Sequence, residues 1–471
     1  MDGSAGVERP DRHPGDTYED ILNRDSRPVP EYLREGPVPD VGVQPIAASR
    51  YFSTDFFDKE ARYLWSRVWQ MACREEDIPN VGDHHLYEIL GKSLIVVRSA
   101  PDTIKALHNS CLHRGRKLVT SNGCKNEFKC PFHGITWNAD GSFKENPIAW
   151  DFPQWKDRDV SLPEARVATW GGFVFVNFDA AAPPLIQHLR PIADDFARFD
   201  WENRYRSWWV QKKIRCNWKA ATEAFMESHH SVTTHPQILG SLADANSQYD
   251  ILSDWVSRQF SATGVPSPFM PPMTEQEVVD HMTGRRRGGT AASDKPEHEL
   301  PPGETARRYL AERTRQNLSE ASGYDYSALS DAEMLDALLY NLFPNFSIWA
   351  GEGHKLTYRW RPNGMDPNSA IMDIMVHAPC PRGQPRPRPA PPIVLDFDEM
   401  ISDVATPEQK GLAAVFDQDF SNLPYVQEGL MATRTGEVHL GRYTEMRIRH
   451  LHHMIDRYIA EGSAASDRPA R

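Results

Sequence analysis

Cysteine is scarce in this sequence: six in 471 residues, at Cys73, Cys111, Cys124, Cys130, Cys216 and Cys380. That is too few for a disulfide scaffold, and three of the six fall between 111 and 130, a clustering better explained by metal. Long apolar runs are missing as well. The richest, 93–97 and 172–176, have strand length and fall far short of the roughly 20 residues that cross a bilayer. Positive charge is in deficit. Lys and Arg number 53 against 65 Asp and Glu, and the net charge of -12 argues against a nucleic-acid partner. The one basic cluster, Arg285-Arg286-Arg287, sits between glycines and reads as a solvated loop. No apolar segment follows the first residues, so no secretory signal is read, and a soluble cytoplasmic protein is expected. G-x-G-x-x-G is absent too, which excludes dinucleotide binding through that motif.

What is present reads as a globular chain, 40% hydrophobic and 25% charged. Its length suits more than one core, since single cores seldom grow past roughly 250–300 residues. Residues 1–50, rich in Pro, Asp and Arg, are expected to form an extended or partly disordered arm. Residues 55–69 have helical spacing. Short β runs follow at 85–90, 93–98, 103–108 and 166–178, broken at Gly91-Lys92 and Pro101-Asp102, and predict a small all-β domain within 51–180. The remainder, 181–471, mixes elements: a helix over 184–199, a strand over 208–215 and a strong helix signal over 217–235. The polar stretch 260–320 reads as a long surface loop. A hairpin joins 355–361 to 369–377 around Pro362-Asn363-Gly364. The proline-rich stretch 379–392 reads as a stiff connector, and 443–460 as a helix. No internal repeat is found.

Two constellations carry chemistry. The first is Cys111-Leu112-His113-Arg114-Gly115 followed by Cys130-Pro131-Phe132-His133-Gly134. Each motif offers one thiolate and one imidazole. A thiolate pair suits a sulfide-bridged ferric iron, and an imidazole pair suits its neighbour. Gly115 and Gly134 let both loops turn tightly. A zinc finger uses the same residue types, but usually places two cysteines before two histidines. Cys124 matches no ligand position.

The second is E-x-x-H-x4-H, from Glu227 through His230 to His235. Two neutral imidazoles with one carboxylate make a facial triad for Fe(II) that leaves positions open for dioxygen. Residues five apart diverge on a regular helix, so bringing His230 and His235 together needs a widened turn or a helix end near Pro236. His229 is a rival in poorer register with Glu227.

The first constellation resembles the Rieske [2Fe–2S] domain. The run from Asn217 to Pro236 resembles the iron-binding helix of Rieske non-haem iron oxygenases, in the catalytic (alpha) subunit of the aromatic-ring-hydroxylating oxygenase family. The resemblance implies that Cys111 and Cys130 hold one cluster iron, and His113 and His133 the other. It makes His230 and His235 ligands of a mononuclear Fe(II), and Glu227 the carboxylate linking that site to a cluster histidine on another subunit. The segment 415–430 resembles the family's C-terminal ligand helix. There an Asp precedes a Gln by eight positions, which selects Asp419 as third ligand with Asp417 as runner-up. Pro424 is expected to bend or restart that helix, capped by Ser421 or Asn422.

Some positions depart from the pattern. Phe132 stands where respiratory Rieske proteins carry an extra cysteine, which places the chain on the oxygenase and ferredoxin branch. Ile135 replaces a usual aromatic, Ala224 a common Asn and His229 a common Tyr. Glu227 replaces the Asp of ring-hydroxylating dioxygenases and is more like the oxygenases acting on quaternary amines.

The implied fold is α+β: the small all-β domain and a helix-grip (START-like) catalytic domain with an antiparallel sheet. The implied function is terminal oxygenase of a multicomponent system, hydroxylating an apolar or aromatic small molecule with O2 and NAD(P)H. A separate reductase, with or without a ferredoxin, would deliver the electrons. The alternative is a monooxygenase or demethylase acting on an N- or O-alkyl substrate. A homotrimer is implied, and a β subunit is compatible with it. An electron carrier with the second site empty is the rival from another class.

Overall fold

The computed structural model describes residues 12–283, 298–353 and 355–466. Two sheets dominate it. The first has seven antiparallel strands in the order Gln70–Arg74, Phe173–Asn177, Glu164–Trp170, Thr103–His108, Lys92–Ala100, Asp83–Ile89 and Gly123–Cys124. A three-stranded sheet (Glu127–Lys129, Thr136–Asn138, Phe143–Glu145) packs with it and carries the second Cys/His loop. The expected single strand over 166–178 is two strands, because Gly171 and Gly172 both adopt positive φ and reverse the chain.

The second sheet has eight strands: Leu242–Ile251, Val256–Thr263, Ala337–Leu342, Phe346–Trp349, Leu356–Asn363, Asp366–Pro379, Arg204–Ile214 and Ile393–Leu395. All pairings are antiparallel except that of Ile393–Leu395, which runs parallel to Arg204–Ile214. The Asn363-Gly364 turn forms as expected, with Gly364 at φ 64°. The helices Lys410–Ala432 and Met446–Ser466 contribute Phe416, Phe420, Leu451 and Ile455 to the core lined by this sheet's Tyr358 and Trp360. Trp218 and Trp360 are fully enclosed there, and each such side chain contributes about 1.5–3 kcal/mol. The same core continues into the small domain through Leu64, Trp65, Leu94 and Val174, so no solvent seam divides the two parts.

Three expectations are corrected by packing. The 217–235 helix is interrupted: Trp218–Glu223 is helical, then the chain turns, and only Ser231–Thr234 is helical again. Side chains take over backbone partners there. The Ser228 N–H donates to the Tyr249 hydroxyl (3.1 Å), and the Glu227 carboxylate accepts the His230 N–H (3.0 Å). The 260–320 stretch holds the helices Glu275–Met282 and Ala306–Ser322, whose Val278, Val279, Leu310 and Ala311 build a satellite core. Its basic cluster at 285–287 lies outside the described residues. The Lys410–Ala432 helix runs unbroken through Pro424, neither restarting nor capped at Ser421 or Asn422.

The N-terminal arm is extended over much of its described length, but it is docked. Tyr18, Ile21, Leu22 and Leu33 are buried in a second core between the two sheets. Among the described residues no helix is long and apolar enough to cross a membrane.

Candidate metal centres

The two Cys/His loops are near copies of each other. In the first, the Cys111 N–H donates to the Arg116 carbonyl and the Gly115 N–H to the Cys111 carbonyl, both at 2.9 Å. In the second, Cys130 N–H donates to Ile135 (2.8 Å) and Gly134 N–H to Cys130 (2.9 Å). Gly115 and Gly134 have φ of 74° and 77°, which a side chain would strain. These turns bring the two cysteines together and, separately, the two histidines together. Cys111 and Cys130 are buried free thiols in contact with one another, and burial pushes the Cys111 thiol pKa up, with Cys130 adding to it. The imidazoles of His113 and His133 meet with ring centroids 4.7 Å apart. The Nδ1 of His113 is buried with no partner among the described residues, an atom positioned for a metal rather than for a protein hydrogen bond. The donor set therefore fits a Rieske-type cluster. Around it Leu112, Phe132, Ile148 and Trp150 are exposed, Trp150 by 81%.

The second site lies where the 217–235 segment breaks. His230 and His235 flank the short helix Ser231–Thr234, so their rings converge despite the spacing of five. Their Nε2 atoms are 3.2 Å apart, and Asp419 Oδ1 lies 3.0 Å from His235 Nε2 and 3.6 Å from His230 Nε2. Each Nδ1 is already engaged. His230 Nδ1 donates to Glu227 Oε1 (2.6 Å), and His235 Nδ1 donates to Gln418 Oε1 (2.9 Å). With both Nδ1 atoms protonated, two Nε2 lone pairs and a carboxylate oxygen face one point, an arrangement that a metal cation relieves as three ligands at once and a proton relieves only pairwise. Burial alone would lower the His230 pKa, but the hydrogen bond and charge of Glu227, with Asp419, raise it.

Asp417, the runner-up, turns elsewhere, its carboxylate accepting the Ile401 and Ser402 N–H groups at 2.7 and 3.0 Å. His229 is exposed and takes no part in the cluster. Gln418 and Gln237 were not singled out from sequence. Their amides pair side by side (2.6 and 3.2 Å), fixing the acceptor presented to His235. The adjacent Gln-Asp at 418–419 was the one available signal.

A cavity of about 770 Å³ opens onto the second site. Glu227, His230, Asp419 and Gln418 share its wall with Ala224, Leu423, Leu440 and Ile448 and with the carboxylates of Glu223 and Glu445. Among the described residues no Lys or Arg lines it. A further trio, Cys73, Asp77 and His85, also brings three donor atoms together. It is a poor cation site. Arg206 clamps the Asp77 carboxylate (2.7 and 3.1 Å), and burial with neighbouring Arg359, Arg361 and Arg206 leaves the His85 pKa at about 4.

Fold and donor sets define a two-part iron protein of the Rieske type. Residues 68–156 match the Rieske [2Fe-2S] domain, and residues 198–461 match the family described as Ring hydroxylating alpha subunit (catalytic domain). The chain belongs to that ring-hydroxylating α-subunit family. It is 28% identical over 205 residues to the anthranilate 1,2-dioxygenase large subunit of Acinetobacter baylyi, covering 42% of this chain and 44% of that protein. It is also 28% identical over 199 residues to the glycine betaine monooxygenase oxygenase subunit of Pseudomonas aeruginosa, covering 41% and 45%. The chain thus spans less than half the length of these relatives. A solved quaternary ammonium Rieske monooxygenase shares the fold with a TM-score of 0.61 and 16% identity, over 90% of this chain and 99% of that one.

Proposed function

We propose that this chain is the terminal oxygenase of a multicomponent Rieske system, hydroxylating a small organic molecule with dioxygen and electrons from a separate reductase. The observation that carries this reading is the convergence of His230 Nε2, His235 Nε2 and Asp419 Oδ1, with both Nδ1 atoms held from behind. In it, Cys111 and Cys130 hold one cluster iron, His113 and His133 the other, and His230, His235 and Asp419 the mononuclear iron. When bound, the cluster supplies single electrons and the mononuclear iron supplies the centre at which dioxygen is reduced.

The protein's own residues do the rest. Glu227 and Gln418 fix the tautomer and aim of the two imidazoles. The aliphatic wall of the cavity desolvates the substrate beside the metal-holding residues. Glu227 links this site to a cluster histidine of a neighbouring chain in a head-to-tail homotrimer. The apolar surface of Leu112, Phe132, Ile148 and Trp150 around the cluster loops supports such a contact. A reductase, with or without a ferredoxin, is the electron source, and a cytoplasmic location suits that partner.

For the substrate, an apolar or aromatic compound agrees with the aliphatic wall. A second reading, monooxygenation at an N-alkyl group, is favoured by one observation: Glu223, Glu227 and Glu445 face the cavity with no lining cation among the described residues. A screen with a surrogate reductase decides between them. Anthranilate, naphthalene and glycine betaine are offered in turn, with oxygen uptake and product mass followed together under labelled dioxygen. Two labelled atoms in the product mark dioxygenation, whereas a demethylated product free of label, with the labelled atom in trapped formaldehyde, marks demethylation. Reconstituted protein carrying no iron beyond its cluster would refute the oxygenase reading.

A further inference from the structure

Oxygen chemistry at this site consumes protons as well as electrons. Hydroxylation of a C–H bond reads R–H + O2 + 2 e⁻ + 2 H⁺ → R–OH + H2O. The C–H and O–O bonds break, the C–O bond forms, and the second oxygen leaves as water. The reductase named above supplies the electrons, and the protons must arrive through the groups and water that line the cavity, among them Glu223.

A route for these protons lies in the wall of the same cavity. Glu223 ends the Trp218–Glu223 helix and lines the cavity. Its Oε1 lies 2.9 Å from Nε2 of His452, and its carboxylate accepts the Tyr51 hydroxyl at 2.8 and 3.0 Å. Tyr51 oxygen and His452 Nε2 are themselves 3.0 Å apart, closing the triangle. His452 projects from the Met446–Ser466 helix and is 1% exposed. It also lines a separate cleft of about 540 Å³, between the N-terminal arm and that helix, with Gln44, Arg50, Arg449, His453 and Asp456. The Nδ1 of His452 is buried with no partner among the described residues. His452 thus lines the cleft and bonds two side chains that line the cavity, Glu223 and Tyr51, engaged at one nitrogen and unengaged at the other.

We propose that His452 and Glu223, oriented by Tyr51, relay protons from the outer cleft to the cavity at the mononuclear site. This rests on the oxygenase reading above. His452 takes a proton at its buried Nδ1 through a water admitted from the cleft and releases the one on Nε2 to Glu223, and the carboxyl of Glu223 passes it on to cavity water. Only N–H and O–H bonds change; each passage leaves the ring in its other tautomer, and a ring flip restores the first before the next proton. Tyr51 is a fixed donor rather than a carrier. Burial, reinforced by Glu223, holds its phenol well above the ordinary range, so it stays protonated. The charged groups facing the triangle are Glu445 and Arg50, with the buried Lys219–Glu60 pair (2.7 Å) behind it. His453 and Asp456 stand on the cleft side.

The test uses full-length, iron-loaded protein. Reduced protein freed of reductant is mixed with dioxygen, and reoxidation is followed at the cluster's visible bands in H2O and D2O. His452→Ala with normal iron content is expected to react on the order of 10²-fold more slowly, the scale of general acid catalysis. Added imidazole, diffusing into the vacated cleft, is expected to restore the rate. Glu223→Gln is expected to be slow and not rescued. In metal-free protein, without turnover, Glu223→Gln should also move the ¹⁵N resonance of His452 Nε2. Wild-type speed in His452→Ala, a slow His452→Ala that imidazole does not restore, or an unmoved resonance in Glu223→Gln overturns the relay. A wild-type chain that binds no third iron overturns the oxygenase reading itself, and iron analysis on the same samples separates the two failures.

Discussion

Replacing Gln418 with leucine tests the metal site through a residue that holds a ligand without being one. Leucine keeps the volume of the side chain and removes its acceptor. His235 is 3% exposed, so its Nδ1–H would lose the 2.9 Å bond to Gln418 with no solvent to replace it. Gln237 would lose both of its amide contacts at the same stroke. An abandoned buried donor costs about 1–3 kcal/mol. At about 1.4 kcal/mol per decade, that predicts iron bound roughly fivefold to 150-fold more weakly at the mononuclear site. The assay is competition with a graded series of chelators, with metal analysis and the cluster absorbance read on the same samples. The cluster should be untouched, because Gln418 lies in the catalytic part of the chain. Gln418→Glu should retain more iron than the leucine variant, since it keeps an acceptor for Nδ1. Unchanged iron affinity in Gln418→Leu would refute the argument that Nδ1 is held from behind.

Four further outcomes follow. Asp419→Ala should lose the mononuclear iron while keeping the cluster spectrum, whereas Asp417→Ala should keep its iron and unfold more easily by about 1–3 kcal/mol, read by denaturant melts. Cys111→Ser should abolish the reddish-brown colour, checked by visible absorption and iron-to-sulfide ratio. Glu227→Gln exchanges a charged acceptor for a neutral one at 2.6 Å from His230, and should slow substrate-dependent oxygen uptake more than it lowers bound iron. Lys355, fully enclosed, has its pKa lowered to about 7, by burial first and by Arg204 next. Its folded pKa lies below the unfolded value, so stability contributed at this position rises with pH between about 7 and 10.5 and is lowest below 7. Lys355→Met should flatten that slope in urea melts across the same window, and an unchanged slope would count against it.

Both constellations were legible because their donors sit in short segments, where residue type and spacing survive without a fold. The same holds for the β runs of the small domain, whose turns carry their own glycines. What escaped was whatever depends on a distant partner. The helix expected over 217–235 stops at Glu223 and does not resume across Ser228, whose backbone N–H is claimed by a tyrosine on a strand that spacing alone does not connect to it. Gln418 reaches His235 across 183 positions of chain, and Glu223 reaches His452 across 229. The 260–320 stretch looked like a loop because its helices are mostly polar, with only narrow apolar stripes such as Val278-Val279 and Leu310-Ala311. Asp419 and Asp417 are separable only once the chain around Ile401 is seen to occupy the latter.

The continuous core beneath the two parts has a practical consequence for protein engineers. Trp65 sits edge-on to Trp218 with ring centroids 5.0 Å apart, and Glu60 bonds both the Trp218 indole and Lys219, at the root of the segment that ends in His230 and His235. A graft that swapped in the Rieske domain of a relative, cut at a convenient loop, would pull out the footing of the second metal site. Chimeras of this chain should therefore succeed only when the donor brings its own counterparts of Glu60 and Trp65 along with it.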